Sequence, residues 1–188
     1  MAVLPIRHFP DPILKHAARP VGGLSPDIRC LIDDLIETMR HHPRCVGLAA
    51  CQVGSPHAVA VVDVTSHPKA ARSTAHGTSS PLRARSVKQA NGLLVLINPE
   101  IVEQDTGIVQ REGCLSVPDL TGNVRRAQRV RVQALDADGQ PWERWVEGFE
   151  AVAVQHEVDH LRGQLFLDRV ESLRSDVFHR KRYWFPEQ

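Results

Sequence analysis

AVAVQHEVDHLRGQLF, residues Ala151–Phe166, contains the pattern His156-Glu157-Val158-Asp159-His160. Residues four apart share one face of a helix, so in a helical setting both imidazoles can reach a single metal ion. Phe149, Val152, Ala153, His156, Glu157 and His160 fall on that face by spacing, which predicts a helix starting near Gly148. A catalytic zinc-type centre takes three protein ligands and keeps one position open for water. One metalloprotease class continues the pattern with x-x-Gly-x-x-His, the last His being the third ligand. This chain follows it as far as Gly163 and then carries Phe166, which cannot ligate. Glu171 lies close to the expected helix end, an awkward place for a ligand. The third ligand must come from upstream.

Upstream, Ser25–His42 reads as a second helix. Ser25 suits the N-cap, Pro26 the first helical position, and Asp27 the positive end of the helix. Ile28, Leu31, Ile32, Leu35, Ile36 and Met39 recur as one apolar stripe. Apolar, partly β-branched runs at His57–Val64 and Leu93–Val102 predict strands. Arg129–Gly148 alternates and is broken by Asp138-Gly139, the signature of a β-hairpin. Strands in this order around one central helix imply an α+β domain, mostly antiparallel sheet packed around the metal-binding helix, spanning residues 1–188 as one unit. The segment Ser66–Gly92 differs. It is low in apolar residues and carries five Lys/Arg with no Asp or Glu, so it is expected to be a mobile surface loop, residues 66–92.

Composition narrows the function classes. With 188 residues, 42% hydrophobic and 24% charged, the chain has enough apolar material for one substantial core. A net charge of +1 argues against a general electrostatic binder of DNA. No run has the length of a membrane span, and the first residues lack the apolar core of a secretory signal, so a cytoplasmic location is expected. The four cysteines, Cys30, Cys45, Cys51 and Cys114, show no Cys-x-x-Cys spacing and read as reduced, mostly buried thiols, with Cys114 the exception to consider.

Two stretches offer the missing chemistry. In Glu112-Gly113-Cys114-Leu115-Ser116 a cysteine follows a glycine between strand-like segments. Cysteine with two histidines is an accepted catalytic ligand set, although a cysteine buried at a strand turn would look the same. Cys45–Gly54, CVGLAACQVG, is packed with small residues that let a backbone approach a ligand. Its Gln52 can donate to an oxyanion, or can equally be a polar residue at the rim of a tight turn.

Taken together and in order, Cys45–Gln52, Glu112–Ser116 and Gln155–His160 resemble the three motifs of the peptide deformylases. "FPDPIL" at Phe9–Leu14 and "GQLFLDRV" at Gly163–Val170 look like the family's opening and its continuation. Two departures stand out: Cys45 occupies the leading glycine position of the first motif, and the Ser66–Gly92 loop is long. The cysteine is expected to stiffen the backbone and narrow the mouth of the pocket.

The resemblance implies an enzyme that removes the formyl group from the N-terminal formylmethionine of new polypeptides. It implies Cys114, His156 and His160 as ligands of one divalent ion, natively Fe²⁺, with Zn²⁺, Ni²⁺ or Co²⁺ able to replace it. Glu157 becomes the general acid–base, and the Gln52 amide and the Leu115 N–H become the oxyanion donors. Val46, Gly47, Phe149, Val152 and Ala153 are the candidate walls of the methionine pocket, and Asp159 is expected to orient structure rather than act. The partner is the formylmethionyl nascent chain. The basic residues Lys69, Arg72, Arg83, Arg85 and Lys88, with Arg174, Arg180, Lys181 and Arg182 in the tail, suggest contact with ribosomal RNA as well. Three alternatives remain in view. A zincin-like peptidase is opposed by Phe166, an inactive ribosome-associated relative by the intact site residues, and a structural zinc domain by the lack of a fourth ligand.

Overall fold

Pro26–His41 forms helix α1 in the computed structural model, with the Ser25 hydroxyl accepting from the Ile28 N–H as its N-cap. The structure describes residues 1–69 and 90–181. The apolar stripe is the reason for the helix's position. Ile28, Ile32, Leu35 and Met39 are buried against Leu48, Ala50, Val59, Val61 and Ile97. Each such side chain contributes about 1.5–3 kcal/mol by leaving water.

The strands follow as β1 (Gly47–Ala49), β2 (Val59–Val62), β3 (Leu94–Gln104), β4 (Gly107–Cys114), β5 (Val117–Ala127), β6 (Arg129–Leu135) and β7 (Pro141–Glu147). Helix α2 (Gly148–Leu161) and a short β8 (Val177–His179) follow, with short 3-10 turns at Pro12–Lys15, Ala50–Val53 and Phe166–Asp168. All strand pairs are antiparallel. One sheet has the order β1-β2-β3-β6-β7 and a second the order β4-β5-β8. The hairpin expected from Asp138-Gly139 joins β6 to β7, with Gly139 at φ 78 in its turn.

β2 shows how the layers stack. Its residues alternate between two cores, Val59 and Val61 facing the α1 cluster and Ala60 and Val62 the α2 cluster. The first sheet is therefore covered by α1 on one face and α2 on the other. Helix α2 touches β1, β2 and β7 of that sheet and β5 of the second, so it is central, as the sequence implies. It is buried nearly all round, its polar Gln155, Glu157, Asp159 and His160 included.

Two glycines fix the ends of this helix's surroundings. Gly163 takes φ 71, and a Cβ there would lie 2.8 Å from the Lys15 backbone. Gly122 of β5 leaves room for the Phe166 ring, which a Cβ would meet at 2.9 Å. Phe166 is 1% exposed and packs in the core. The position that resembles a third histidine ligand is thus an interior packing position.

The sequence expectation for the cysteines needs one correction. All four are free, but Cys30 is exposed on the outer side of α1 and Cys45 is only half-buried. Of the expected loop 66–92, residues 70–89 lie outside the described residues. Among the described residues no helix is long and apolar enough to cross a membrane.

Candidate functional site

The cysteine sits at the end of β4, paired with Val117 across the two-residue turn Leu115-Ser116. That turn aims the Cys114 sulfur at α2. Sγ lies 3.2 Å from His160 Nε2, and the donor atoms of Cys114, His156 and His160 all lie within 4.8 Å of one another. The upstream residue expected to complete the set is therefore beside both histidines. Glu171 is not: it is exposed and pairs with Arg125 at 3.3 Å.

Both imidazoles are oriented from behind. His156 Nδ1 is 2.8 Å from Glu112 Oε2, which leaves its Nε2 for the cluster. Glu112 in turn accepts from Arg126 Nε at 2.7 Å and Nη2 at 3.0 Å, a fork-to-fork pair with 4% exposure of the arginine. The same guanidinium donates to Asp159, which also accepts from Arg169. Asp159 is thus held between two arginines. Desolvation alone would raise the Glu112 pKa, but His156 and Arg126 hold it down at about 2. Gln155 clamps the helix to the end of β5, accepting from the Ala127 N–H at 3.0 Å and donating to the Ala127 carbonyl at 2.9 Å. Arg126, next to Ala127, makes that clamp continuous with the ion network.

Burial by itself would keep the Cys114 thiol protonated. The neighbouring His160 and His156 imidazoles outweigh it and hold the thiol pKa well below its ordinary value. The sulfur also accepts from the Ser116 N–H and the Gln52 side-chain amide, each at 3.4 Å. A sulfur held among these donors and beside two imidazoles has the chemistry of a metal ligand.

Glu157 lies between the two histidines in sequence and is 3% exposed. Its Oε2 is buried with no hydrogen-bond partner among the described residues. Desolvation raises its pKa to about 7. Gly47 of β1 makes room for it: a Cβ there would meet Glu157 Oε1 at 2.5 Å. Gln52, from the single turn after β1, is fixed through Oε1 by the Ala49 N–H at 2.9 Å. One proton of its amide goes to Ser116 Oγ at 3.2 Å and the other points to the Cys114 side of the site.

These groups open into a cleft of about 280 Å³. Val46, Gly47, Phe149, Val152 and Ala153 line it together with Gln52, Leu115 and Glu157, so the residues singled out from the sequence converge. Cys45 also lines it, with Sγ 3.1 Å from the Gly47 carbonyl. The left-handed backbone in this stretch is at Arg44, φ 66, and not at Cys45. The cysteine therefore does not strain the position where the family motif has glycine.

Sequence reasoning missed the second rank of the site. Glu112 stands inside a quoted motif, yet nothing local reveals that it holds His156 and Arg126. His67 and Lys69, assigned to the surface loop, form part of the cleft wall: the His67 ring stacks on Phe149 at 4.7 Å, and Lys69 Nζ lies 5.4 Å from the same ring.

Comparison with known proteins agrees with this geometry. The sequence profile described as polypeptide deformylase matches residues 3–176. The peptide deformylase of Alkalilimnicola ehrlichii is 42% identical over 96% of this chain and 89% of its own length. Peptide deformylase 1 of Pseudomonas syringae pv. tomato is 41% identical over 96% and 95%. Among solved structures, the peptide deformylase of Ehrlichia chaffeensis superposes with a TM-score of 0.77 at 32% identity, covering 92% of this chain and 90% of its own. That of Legionella pneumophila gives 0.75 at 35% identity, covering 92% and 89%.

Proposed function

The chain belongs to the polypeptide deformylase family, and we propose that Cys114, His156 and His160 hold its catalytic metal ion while Glu157 carries the proton. The activity is hydrolytic removal of the formyl group from the N-terminal formylmethionine of newly made polypeptides. The observation that carries the assignment of residues is the convergence of three metal donors and one unpartnered buried carboxyl in a single cleft.

The donor set fits a metal. Tetrahedral sites place sulfur at ~2.3 Å and imidazole nitrogen at ~2.0–2.1 Å, which requires donors about 3–4 Å apart. The Cys114–His160 separation of 3.2 Å lies in that range. When bound, a divalent ion supplies Lewis-acid chemistry, lowering the pKa of water toward neutrality and polarising the scissile carbonyl. Fe²⁺ is the proposed native ion, and the same donors accept Zn²⁺, Ni²⁺ or Co²⁺.

Glu157 has the properties of a general acid–base. Its pKa of about 7 lies near neutrality, where a carboxyl can take a proton from the attacking water and return it to the leaving amine. The Gln52 amide proton on the Cys114 side and the Leu115 N–H in the following turn are the oxyanion donors. Gln52 is fixed through Oε1 and through its bond to Ser116, so its remaining proton, now directed at the Cys114 sulfur, is held near the place where charge develops on the carbonyl oxygen. Val46, Phe149, Val152 and Ala153 offer the methionine side chain an apolar wall, and Gly47 keeps that wall clear of Glu157. The buried Phe166 and the exposed Glu171, paired with Arg125, oppose the zincin reading, since neither downstream position offers a third ligand.

The reading extends to the cytoplasm as the place of action and to the ribosome as the source of the chain. Its support is the substrate itself and the basic Arg72, Arg83, Arg85 and Lys88, which lie outside the described residues.

The test uses protein loaded anaerobically with a single metal and assayed on formyl-Met-Ala-Ser, its acetyl analogue and the free peptide. Formate release from the formyl peptide alone is expected. Glu157→Ala should keep the metal and lose at least ~10²-fold in kcat, the usual contribution of an acid–base group. Equal hydrolysis of the acetyl peptide, or near-normal turnover by Glu157→Ala, would overturn the reading.

A further inference from the structure

The mouth of the cleft has one sign of charge. Arg44, Lys69, Arg111 and Arg180 line it, and all four are exposed. The two carboxylates that line it, Glu112 and Glu157, lie at its floor, 7% and 3% exposed. Glu112 is already committed to Arg126 and His156. Among the described residues no carboxylate lies within ion-pairing distance of any of the four cations.

Arg111, Arg180 and Lys69 are held in place by neutral partners. Arg111 donates from Nε to Asn123 at 3.0 Å and from Nη1 to Thr121 at 3.2 Å, with its guanidinium 3.6 Å above the Phe178 ring. Arg180 donates to the Cys114 carbonyl at 3.2 Å, and it fits because Gly113 has no side chain: a Cβ there would meet Nη2 at 2.5 Å. Lys69 reaches across the cleft to the Arg111 carbonyl at 3.1 Å. Such positioning leaves Arg111, Arg180 and Lys69 without a paired carboxylate, Glu112 acting on Lys69 only from the buried floor, and reduces the side-chain entropy lost on meeting an anion.

We propose that this rim selects nascent chains with an acidic side chain at the third residue, Arg111 and Lys69 being the principal recognition residues. The inference rests on the deformylase reading of the site. β4 is an edge strand, and its Arg111–Cys114 segment borders the cleft. An extended chain advances ~3.3 Å per residue, so Arg111 stands about 10 Å from Cys114 along β4, the reach of the third residue of an extended peptide whose formyl end is at the floor. Formylation removes the amino-terminal charge, so the charge of such a substrate is that of its side chains alone. Opposite charge at the mouth then acts on both encounter and binding.

The experiment compares formyl-Met-Ala-Glu-amide, formyl-Met-Ala-Gln-amide and formyl-Met-Ala-Lys-amide on the metal-loaded protein. At about 20 mM salt kcat/KM should fall in that order, with Glu at least about tenfold above Lys, and the spread should shrink at ~0.5 M salt as the charges are screened. Arg111→Gln and Lys69→Gln should each cut the Glu-to-Lys ratio roughly two- to fivefold, the worth of an exposed ion pair. Fluorescent versions of the three peptides, titrated onto Glu157→Gln, should give Kd values in the same order. If none of the peptides is deformylated, the functional reading fails while the Kd order still decides the rim. Values of kcat/KM and Kd within twofold of one another across the peptides at low salt, or a preference for Lys, would overturn the proposal.

Discussion

Gly47→Ala adds a single carbon and tests the spacing on which the chemistry depends. The new Cβ would lie 2.5 Å from Glu157 Oε1 and 2.9 Å from its Cγ and Cδ, whereas ordinary van der Waals contact begins at 3.4 Å. The carboxyl must therefore retreat by about 0.9 Å, the difference between 2.5 and 3.4 Å. The retreat is local. Gly47 is a β-strand residue without a positive φ, so alanine meets no backbone penalty there. A displacement of ~1 Å from the productive geometry costs about 10²-fold in rate, or about 2.7 kcal/mol of transition-state stabilisation. The expected phenotype is a kcat for formyl-Met-Ala-Ser lowered about a hundredfold, with metal content unchanged and thermal unfolding close to wild type. Steady-state kinetics, metal analysis by mass spectrometry and circular dichroism read the three quantities. A kcat within twofold of wild type would refute the claim that this glycine exists to seat Glu157. A loss of fold would refute the claim that its effect is local.

Cys114→Ser should bind the ion far more weakly, since a hydroxyl is a poor substitute for a thiolate; dialysis against a competing chelator reads the affinity, and wild-type retention would remove Cys114 from the ligand set. Gly163→Ala should destabilise the fold by about 2–4 kcal/mol in urea unfolding, because it combines a left-handed backbone with a Cβ pressed on the Lys15 backbone; a change under ~0.5 kcal/mol would contradict that packing. Burial pushes the Cys51 thiol up to about 12 and leaves it 1% exposed, so in metal-loaded protein at pH 8 an alkylating agent should label the exposed Cys30 long before Cys51. Rapid native labelling of Cys51, seen by peptide mass mapping, would count against its burial.

The sequence was most legible where a pattern is local. The α1 stripe, its Ser25 cap and the Asp138-Gly139 hairpin are each decided within a few residues, and the structure has them at nearly the expected bounds. The hairpin of β4 and β5 was not read from periodicity. Its strands are largely polar and half-exposed, and Leu115-Ser116 lacks the Asn-Gly or Asp-Gly signal of a two-residue turn. Helix α2 carries its histidines four apart, but its burial on nearly every side blurs the amphipathic signal that would place it at the centre. The first rank of the site was visible because family motifs keep ligands and donors in short runs. The second rank was not. Glu112, Arg126, Asp159 and Arg169 come from β4, β5, α2 and the segment beyond it, and only the fold brings them together. Lys69 and His67 read as loop residues because a cleft wall has no periodicity.

The claim at the centre of this account is that one sulfur and two imidazole nitrogens of this chain hold the metal ion. X-ray absorption at the metal edge of anaerobically loaded protein measures that donor set directly. The account predicts one sulfur scatterer at ~2.3 Å and two imidazole nitrogens at ~2.0–2.1 Å, with the sulfur lost in Cys114→Ser. A spectrum without sulfur, or with two sulfurs, would contradict it.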